Sequence, residues 1–231
     1  MDDSFLGKSR RIFLKSDVKE MHMIEKDNKI LFIGDSITDC GRDRNDETSL
    51  GNGFVNMMAA SILYQFPDLN LTFYNKGISG DRVCDVQARL KEDCLQYNPD
   101  IVSILVGVND TWAGLNGKSP VVSPKEFRSN YLDLLIDIMK KSPRTKLVLV
   151  EPFILSDNLP EDYSAFYKDL TLKREIIMSL ANKYDVAFVP LQDAFKKAKK
   201  KMPKDGYWLS DGIHPTPAGH MLIFQEWIQA F

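Results

Sequence analysis

The sequence has few cysteines and no long apolar run. Cys40, Cys84 and Cys94 are the only cysteines, an odd set without a C-x-x-C pair, so we expect reduced thiols rather than a disulfide framework. The longest apolar run near the N-terminus, residues 12–14, is too short for a signal peptide. No apolar run in the sequence approaches the roughly 20 residues that are needed to span a bilayer. These absences predict a soluble, cytoplasmic protein that does not enter a membrane.

The sequence also lacks an excess of charge of either sign. Its 30 basic and 32 acidic residues give a net charge of −2, which disfavours electrostatic binding of nucleic acid. Histidine occurs three times, without an H-E-x-x-H motif, so no zinc site is indicated and we expect neither metal nor cofactor. An apolar share of 44% is ordinary for a globular protein and excludes disorder throughout.

A length of 231 residues favours one α/β domain, which we place at residues 29–231, after an N-terminal extension (residues 1–28) to which no role is assigned. Five short apolar runs rich in β-branched residues predict strands, at Lys29–Gly34, Leu71–Asn75, Ile101–Gly107, Lys146–Glu151 and Val186–Leu191. Their continuous apolarity predicts a parallel sheet that is covered on both faces.

Helical patterns lie between and after these runs. Ser123–Glu126 is a capping box with proline at the first helical position, followed by a predicted buried stripe of Phe127, Tyr131, Leu134 and Ile138. Thr216-Pro217 predicts a last helix with the stripe Met221, Phe224, Ile228 and Phe231. Residues 54–66 and about 161–184 also have helical patterns, and strands that alternate with helices predict a doubly wound sheet.

Polar motifs follow the first three predicted strands. They are GDSIT with Ser36, NKGISG with Gly77, and GVND with Asn109. In a doubly wound sheet, loops that leave the carboxyl ends of the strands form the ligand site. Each motif also has a structural interpretation, as an N-cap, a positive-φ turn or an ordinary turn residue.

A fourth motif, DGIHP, precedes the last helix and contains Asp211 and His214. An aspartate and a histidine three residues apart across a glycine turn can face each other, so that the carboxylate fixes the imidazole tautomer. A solvated turn is the structural alternative, and a structural role is favoured for His220 in the last helix. A nucleophile candidate, two oxyanion-donor candidates and an acid–base pair at one sheet edge together indicate catalysis.

These four blocks, in this order from about residue 29 to the end of the chain, resemble the SGNH (GDSL-type) hydrolase family. Ile37 stands where the family name has leucine. The resemblance implies a three-layer α/β/α, flavodoxin-like fold. Within the family, the stretches GDSITDCGR, NKGISGD, GVNDTW and HPTPAGHM look most like bacterial carbohydrate O-acetylesterases of the acetylxylan esterase kind.

The resemblance implies a serine esterase in which Ser36 is the nucleophile, His214 the general base and Asp211 its partner. The oxyanion would be held by the N–H groups of Ser36 and Gly77 and the amide of Asn109.

Two neighbouring residues are substrate-binding candidates. Asp35 is favoured to brace the nucleophile loop through backbone hydrogen bonds. Trp112 is suited equally to stacking on a sugar and to packing in the core.

The expected substrate is a small acylated molecule, most specifically an acetylated sugar such as an acetylated xylo-oligosaccharide. A lysophospholipase or thioesterase acting on lipid esters is the alternative within the family, and a non-catalytic carbohydrate-binding protein is the alternative outside enzymes. The 13 Phe, 8 Tyr and 3 Trp suffice for an interface as well as a core, so homo-oligomerisation stays open.

Overall fold

The computed structural model describes residues 23–115, 122–156 and 163–230. Its centre is a sheet whose strands are β1 (Lys29–Gly34), β2 (Thr72–Gly77), β3 (Ile101–Leu105), β4 (Lys146–Val150) and β5 (Ala187–Val189). Every neighbouring pair is parallel, in the order β2-β1-β3-β4-β5. This is the flavodoxin-like order, and it confirms the predicted five-stranded parallel sheet.

Helices precede or follow each strand in the described residues. They are α1 (Ser36–Asp39), α2 (Phe54–Gln65), α3 (Val83–Ala88), α4 (Leu90–Asp93), α5 (Val108–Leu115), α6 (Pro124–Lys141), α7 (Tyr163–Tyr184), α8 (Leu191–Lys201) and α9 (Pro217–Ile228), with 3-10 turns at Pro67–Leu69 and Leu95–Tyr97. None of these helices is both long and apolar enough to cross a membrane.

The two faces of the sheet bury separate apolar clusters. In β1, Ile30 and Phe32 join one cluster with α2 and α9, whereas Leu31 and Ile33 join another with α3 and α6. Successive side chains of a strand point to opposite faces, so helices cover both. This arrangement confirms the three-layer α/β/α fold, and the predicted stripe of α6 is fully buried.

The packed structure begins before the predicted domain boundary at residue 29. Ile24 is 9% exposed and belongs to the core. Lys146 Nζ donates to the Met23 carbonyl at 3.0 Å, and the Asp27 N–H donates to the Leu69 carbonyl at 2.7 Å. Residues 23–28 are therefore part of the folded body, and the rest of the predicted extension lies outside the described residues.

The predicted stripe of the last helix is partly wrong. Phe224 and Ile228 are buried, but Met221 is 37% exposed, and Phe231 lies outside the described residues. The reason is that α9 turns His220 and Trp227 inward, where the Trp227 ring centroid lies 5.6 Å from that of Phe32 on β1.

Candidate active site

Ser36 lies where β1 ends and α1 begins. Asp35 is the N-cap of this one-turn helix, and its Oδ1 accepts the Ile37 N–H at 3.0 Å. An aspartate at the N-cap satisfies an N–H that has no partner within the helix. The cap therefore fixes the first turn of α1, with Ser36 as its first residue at the carboxyl edge of the sheet.

A tight loop before α9 presents Asp211 and His214. Asp211 Oδ1 accepts the backbone N–H groups of Ile213 at 3.0 Å and His214 at 2.7 Å. The Ser210 N–H donates to the His214 carbonyl at 2.8 Å, and Thr216 then caps α9. The loop is thus closed on itself, which holds the imidazole at a set distance from the carboxylate.

The structure brings Ser36, His214 and Asp211 together in a hydrogen-bonded chain. Ser36 Oγ lies 2.9 Å from His214 Nε2, and His214 Nδ1 lies 2.6 Å from Asp211 Oδ2. Partial burial favours a higher pKa for Asp211, but the hydrogen bonds that His214 and Ile213 donate outweigh it and lower the pKa. The carboxylate therefore stays ionised and orients the ring, with Nε2 free to accept a proton from serine.

This chain of groups is open to solvent. The side chains of His214 and Asp211 are 48% and 51% exposed. Ser36 beside them is half-buried, so His214 and Asp211 are the more accessible members of the chain.

The structure contradicts the expected role of Gly77. Its N–H donates to Asn75 Oδ1 at 2.9 Å, so it is already used inside the protein. A side chain here would clash with α1, because an added Cβ would lie 2.1 Å from the Asp39 nitrogen. Gly77 is the last residue of β2 and serves close packing rather than oxyanion binding.

Gly80, three residues later, has the properties that Gly77 lacks. It is exposed and has φ +92°, and nothing lies within 4 Å of an added Cβ. In the part of the chain that the structure describes, the N–H groups of Gly80 and Ser36 donate to no protein acceptor. The motif NKGISG contains both glycines. They are told apart only by the end of β2, which includes Gly77 and does not reach Gly80.

Asn109 lies at the start of α5, beside the same turn. Its Nδ2 donates to the Asp81 carbonyl at 3.0 Å. The residue after it, Asp110, is 1% exposed and accepts the Val83 N–H at the start of α3. Burial raises the pKa of Asp110 to about 7. Sequence reasoning missed this contact, which joins the GVND segment to the segment that follows Gly80.

Asp35 is 1% exposed, so the expectation that it binds substrate is wrong, and the expectation that it braces the nucleophile loop is confirmed. Burial raises the pKa of Asp35 to about 7, against the hydrogen bond from Ile37. The carbonyl oxygen of the protonated acid still accepts that N–H, so the cap survives protonation.

Trp112 is half-buried in α5. Its ring packs edge-on against Phe166, with centroids 5.6 Å apart, at the margin of the core. This contact supports the packing interpretation, and stacking of the remaining exposed part on a sugar stays a prediction.

Within residues 23–115, 122–156 and 163–230, no three His, Cys, Asp or Glu side chains are grouped as metal ligands would be.

Comparison with known proteins finds relatives along most of the chain. The GDSL-like lipase/acylhydrolase family matches residues 32–222. An acetylxylan esterase from Geobacillus stearothermophilus is 32% identical over 210 residues, which cover 87% of this chain and 92% of that protein. An arylesterase from Vibrio mimicus is 27% identical over 203 residues, covering 88% and 85%.

Solved structures share the fold. A GDSL-like lipase from Parabacteroides merdae has a TM-score of 0.85 and 38% identity, covering 90% of this chain and 96% of that one. A catalytic mutant of the Geobacillus acetylxylan esterase has a TM-score of 0.80 and 29% identity, covering 90% and 95%. Both the sequence match and the architecture show that this chain is an esterase of the GDSL-like lipase/acylhydrolase family.

Proposed function

We propose that the protein removes short acyl groups, acetyl above all, from carbohydrate esters such as acetylated xylo-oligosaccharides, through an acyl-enzyme on Ser36. The observation that supports this chemistry most directly is the 2.9 Å contact between Ser36 Oγ and His214 Nε2. A serine hydroxyl is a weak nucleophile at neutral pH, and it needs an adjacent base at this distance.

In the first half-reaction, Ser36 Oγ bonds to the ester carbonyl carbon while its proton passes to His214 Nε2. The tetrahedral intermediate collapses, the bond to the sugar oxygen breaks, and that oxygen takes the proton from His214. In the second half-reaction, a water molecule attacks the carbonyl carbon of the acyl-serine while His214 takes a proton from that water. The bond between the acyl group and Ser36 Oγ then breaks, Ser36 takes the proton from His214, and acetate leaves. Asp211 stabilises the imidazolium that forms in each half.

The negative oxygen of each intermediate requires hydrogen-bond donors. We assign this role to the N–H groups of Ser36 and Gly80, which lack protein acceptors among the described residues, and to the Asn109 amide. An amide nitrogen carries two hydrogens, so Asn109 can donate one to the Asp81 carbonyl and the other to substrate.

The choice of substrate rests on two arguments. The Geobacillus relative is named an acetylxylan esterase, and solved structures of it include catalytic mutants in which a serine, an aspartate or a histidine is replaced by alanine. The exposed His214 and Asp211 also suit a polar, bulky ester. A lipid esterase needs an apolar groove for a long chain, so acyl-chain length separates the two proposals.

The test is a substrate screen with wild-type protein and the Ser36→Ala variant. Acetylated xylo-oligosaccharides are compared with a series of 4-nitrophenyl esters from acetate to laurate. We expect the highest kcat/KM for acetyl esters and loss of turnover in the variant.

A preference for octanoate or longer esters would contradict the carbohydrate deacetylase. Turnover retained by Ser36→Ala would contradict the acyl-enzyme. Binding of the oligosaccharide by wild-type protein without any release of acetate would favour the non-catalytic alternative.

A further inference from the structure

Asp39 is a buried carboxylate that the proposed mechanism does not use. It is the last residue of α1, three residues after Ser36, and it is 4% exposed. A carboxylate is rarely buried unless several donors satisfy it, so its partners indicate what it holds.

Two of the four hydrogen bonds to the Asp39 carboxylate come from Ser79, in the turn that contains Gly80. Asp39 Oδ2 accepts the Ser79 N–H at 3.0 Å and the Ser79 hydroxyl at 2.9 Å. Arg44 Nη2 lies 2.8 Å from the same oxygen, and the Arg42 N–H donates to Oδ1 at 3.3 Å. The Asp39 side chain thus connects the end of α1, the helix that begins with Ser36, to Ser79, the residue before Gly80.

Other hydrogen bonds use the remaining N–H groups around Gly80. The Ile78 N–H donates to the Gly34 carbonyl at 2.9 Å, and the Asp81 N–H donates to the Ile78 carbonyl at 3.2 Å. With the Ser79 N–H held by Asp39, the Gly80 N–H is the one between Gly77 and Asp81 that has no acceptor among the residues that the structure describes. The turn is therefore fixed on both sides of this one donor.

Arg44 and Ser79 compensate the negative charge of Asp39 at its buried position. Burial favours a higher pKa, but the hydrogen bonds from Arg44 and Ser79 outweigh it and lower the pKa of Asp39. The Arg44 side chain is half-exposed, so solvent screens the ion pair and the Ser79 contacts carry the connection between the two segments.

We propose that Asp39 is a positioning residue, which sets the Gly80 N–H at the distance from Ser36 Oγ that the oxyanion requires. This inference rests on the proposed function, because it assigns a purpose to the geometry of that site. Misplacement of a donor weakens a contact made in the transition state and not in the ground state, so it lowers kcat and leaves KM unchanged.

The test compares Asp39→Ala with Asp39→Asn on 4-nitrophenyl acetate and an acetylated xylo-oligosaccharide. We expect Asp39→Ala to lower kcat about 10- to 100-fold with KM changed by less than about threefold. In Asp39→Asn, the amide oxygen can replace Oδ2 as the acceptor for Ser79, so kcat should return to within about threefold of wild type.

Arg44→Ala is the matched control, because it removes the ion pair and leaves the Ser79 contacts. We expect its kcat to stay within about twofold of wild type. Wild-type kcat in a folded Asp39→Ala, a change confined to KM, or equal losses in Asp39→Ala and Asp39→Asn would each overturn the proposal.

Thermal unfolding of every variant shows whether it is folded. If Asp39→Ala does not fold, Asp39→Glu keeps the charge and moves the acceptor by one methylene group. A loss of about tenfold or more in its kcat supports the proposal, and wild-type kcat overturns it. Ser36→Ala, assayed in parallel, separates the two claims, since its retained turnover would refute the proposed function regardless of Asp39.

Discussion

At the residue scale, we propose that the Asn109 amide has two tasks, one structural and one in oxyanion binding. Its Nδ2 donates to the Asp81 carbonyl at 3.0 Å, which fixes the side chain beside the Gly80 turn. The second hydrogen on this nitrogen remains for a substrate oxygen. A donor held in place before the reaction needs no reorganisation when charge develops, which is why such donors contribute strongly to catalysis.

Replacing Asn109 by alanine should therefore lower kcat about 100- to 1000-fold, equivalent to about 3–4 kcal/mol of barrier, with a small effect on KM. The measurement is steady-state kinetics on 4-nitrophenyl acetate.

Asn56→Ala is the matched control, because Asn56 is exposed on α2 and takes no part in the site. A loss below about threefold in folded Asn109→Ala would remove Asn109 from the proposed oxyanion site.

The sequence indicated the chemistry of the site but misassigned one donor. Ser36 and Asn109 stand in separate motifs and Asp211 and His214 share another, and within each motif residue type was enough to select them. Gly77 and Gly80 stand in the same motif. They differ because Lys76 and Gly77 continue the pairing of β2 with Ile33 and Gly34, which places Gly77 inside a strand. Apolarity ends before these residues, so hydrophobic pattern alone could not show it.

At the element scale, His220 connects α9, which follows the loop of His214, to α2 and to the end of α1, the helix that begins with Ser36. The Phe54 N–H, at the start of α2, donates to His220 Nδ1 at 3.2 Å. On the other side of the ring, Nε2 lies 3.2 Å from Cys40 Sγ, at the end of α1. The ring is 4% exposed, and an added Cβ at Gly53 would lie 2.8 Å from it. These contacts confirm the structural role expected for His220.

This position makes the stability of the fold depend on pH. Burial, and to a smaller extent the nearby positive charge of protonated His214, lowers the pKa of His220 to about 4. An unfolded histidine titrates near pH 6.5, so between about pH 4 and 6.5 the unfolded chain binds more protons at this residue than the folded chain. The contribution of His220 to the free energy of unfolding therefore falls as pH is lowered through this range.

His220→Asn should remove this component. The asparagine oxygen can accept the Phe54 N–H, but it does not titrate. We expect the slope of unfolding free energy against pH to change by up to about 1.4 kcal/mol per pH unit between pH 4.5 and 6. Urea unfolding of wild type and variant at each pH gives the slopes.

The slope of the variant must be compared with the slope of wild type, because Asp35 and Asp110 contribute to the pH dependence of unfolding free energy in the opposite direction to His220. Burial raises the pKa of each to about 7, so they favour the folded state at low pH. Cys40→Ala is the control that keeps His220 and should keep the wild-type slope. Equal slopes in wild type and His220→Asn would show that His220 is not buried in its neutral form.

The caps of α6 and α9 and the stripe of α6 were predicted well from the sequence. The Ser123 cap and every residue of the α6 stripe are as expected. The lysine-rich segment 196–201 forms the end of α8, and its lysines are largely exposed on a solvated face. The face of α9 was not predictable in the same way, because His220 is buried by contacts with α1 and α2 that lie far away in the sequence.

At the scale of the whole molecule, the parallel sheet explains why the residues of the candidate site lie close together. β1, β2 and β3 are neighbours in the sheet and end at the same edge, so the loops with Ser36, Gly80 and Asn109 meet there. The loop before α9 adds Asp211 and His214 from the far end of the chain. The alternating strands and helices predict the doubly wound sheet, and the family resemblance implies its flavodoxin-like form. The contacts of Asp39 and Asp110 that join these segments depend on side chains that meet only after folding.

The most direct test of the central claim is to trap the acyl-enzyme. Wild-type protein is mixed rapidly with excess 4-nitrophenyl acetate, quenched with acid within the first turnovers and digested, and the peptides are measured by mass spectrometry. The account predicts one acetyl group on the peptide that contains Ser36, at the Ser36 position, and none in Ser36→Ala treated identically. An acetyl group that forms at a different residue at the rate of turnover, or full hydrolysis by Ser36→Ala, would contradict it.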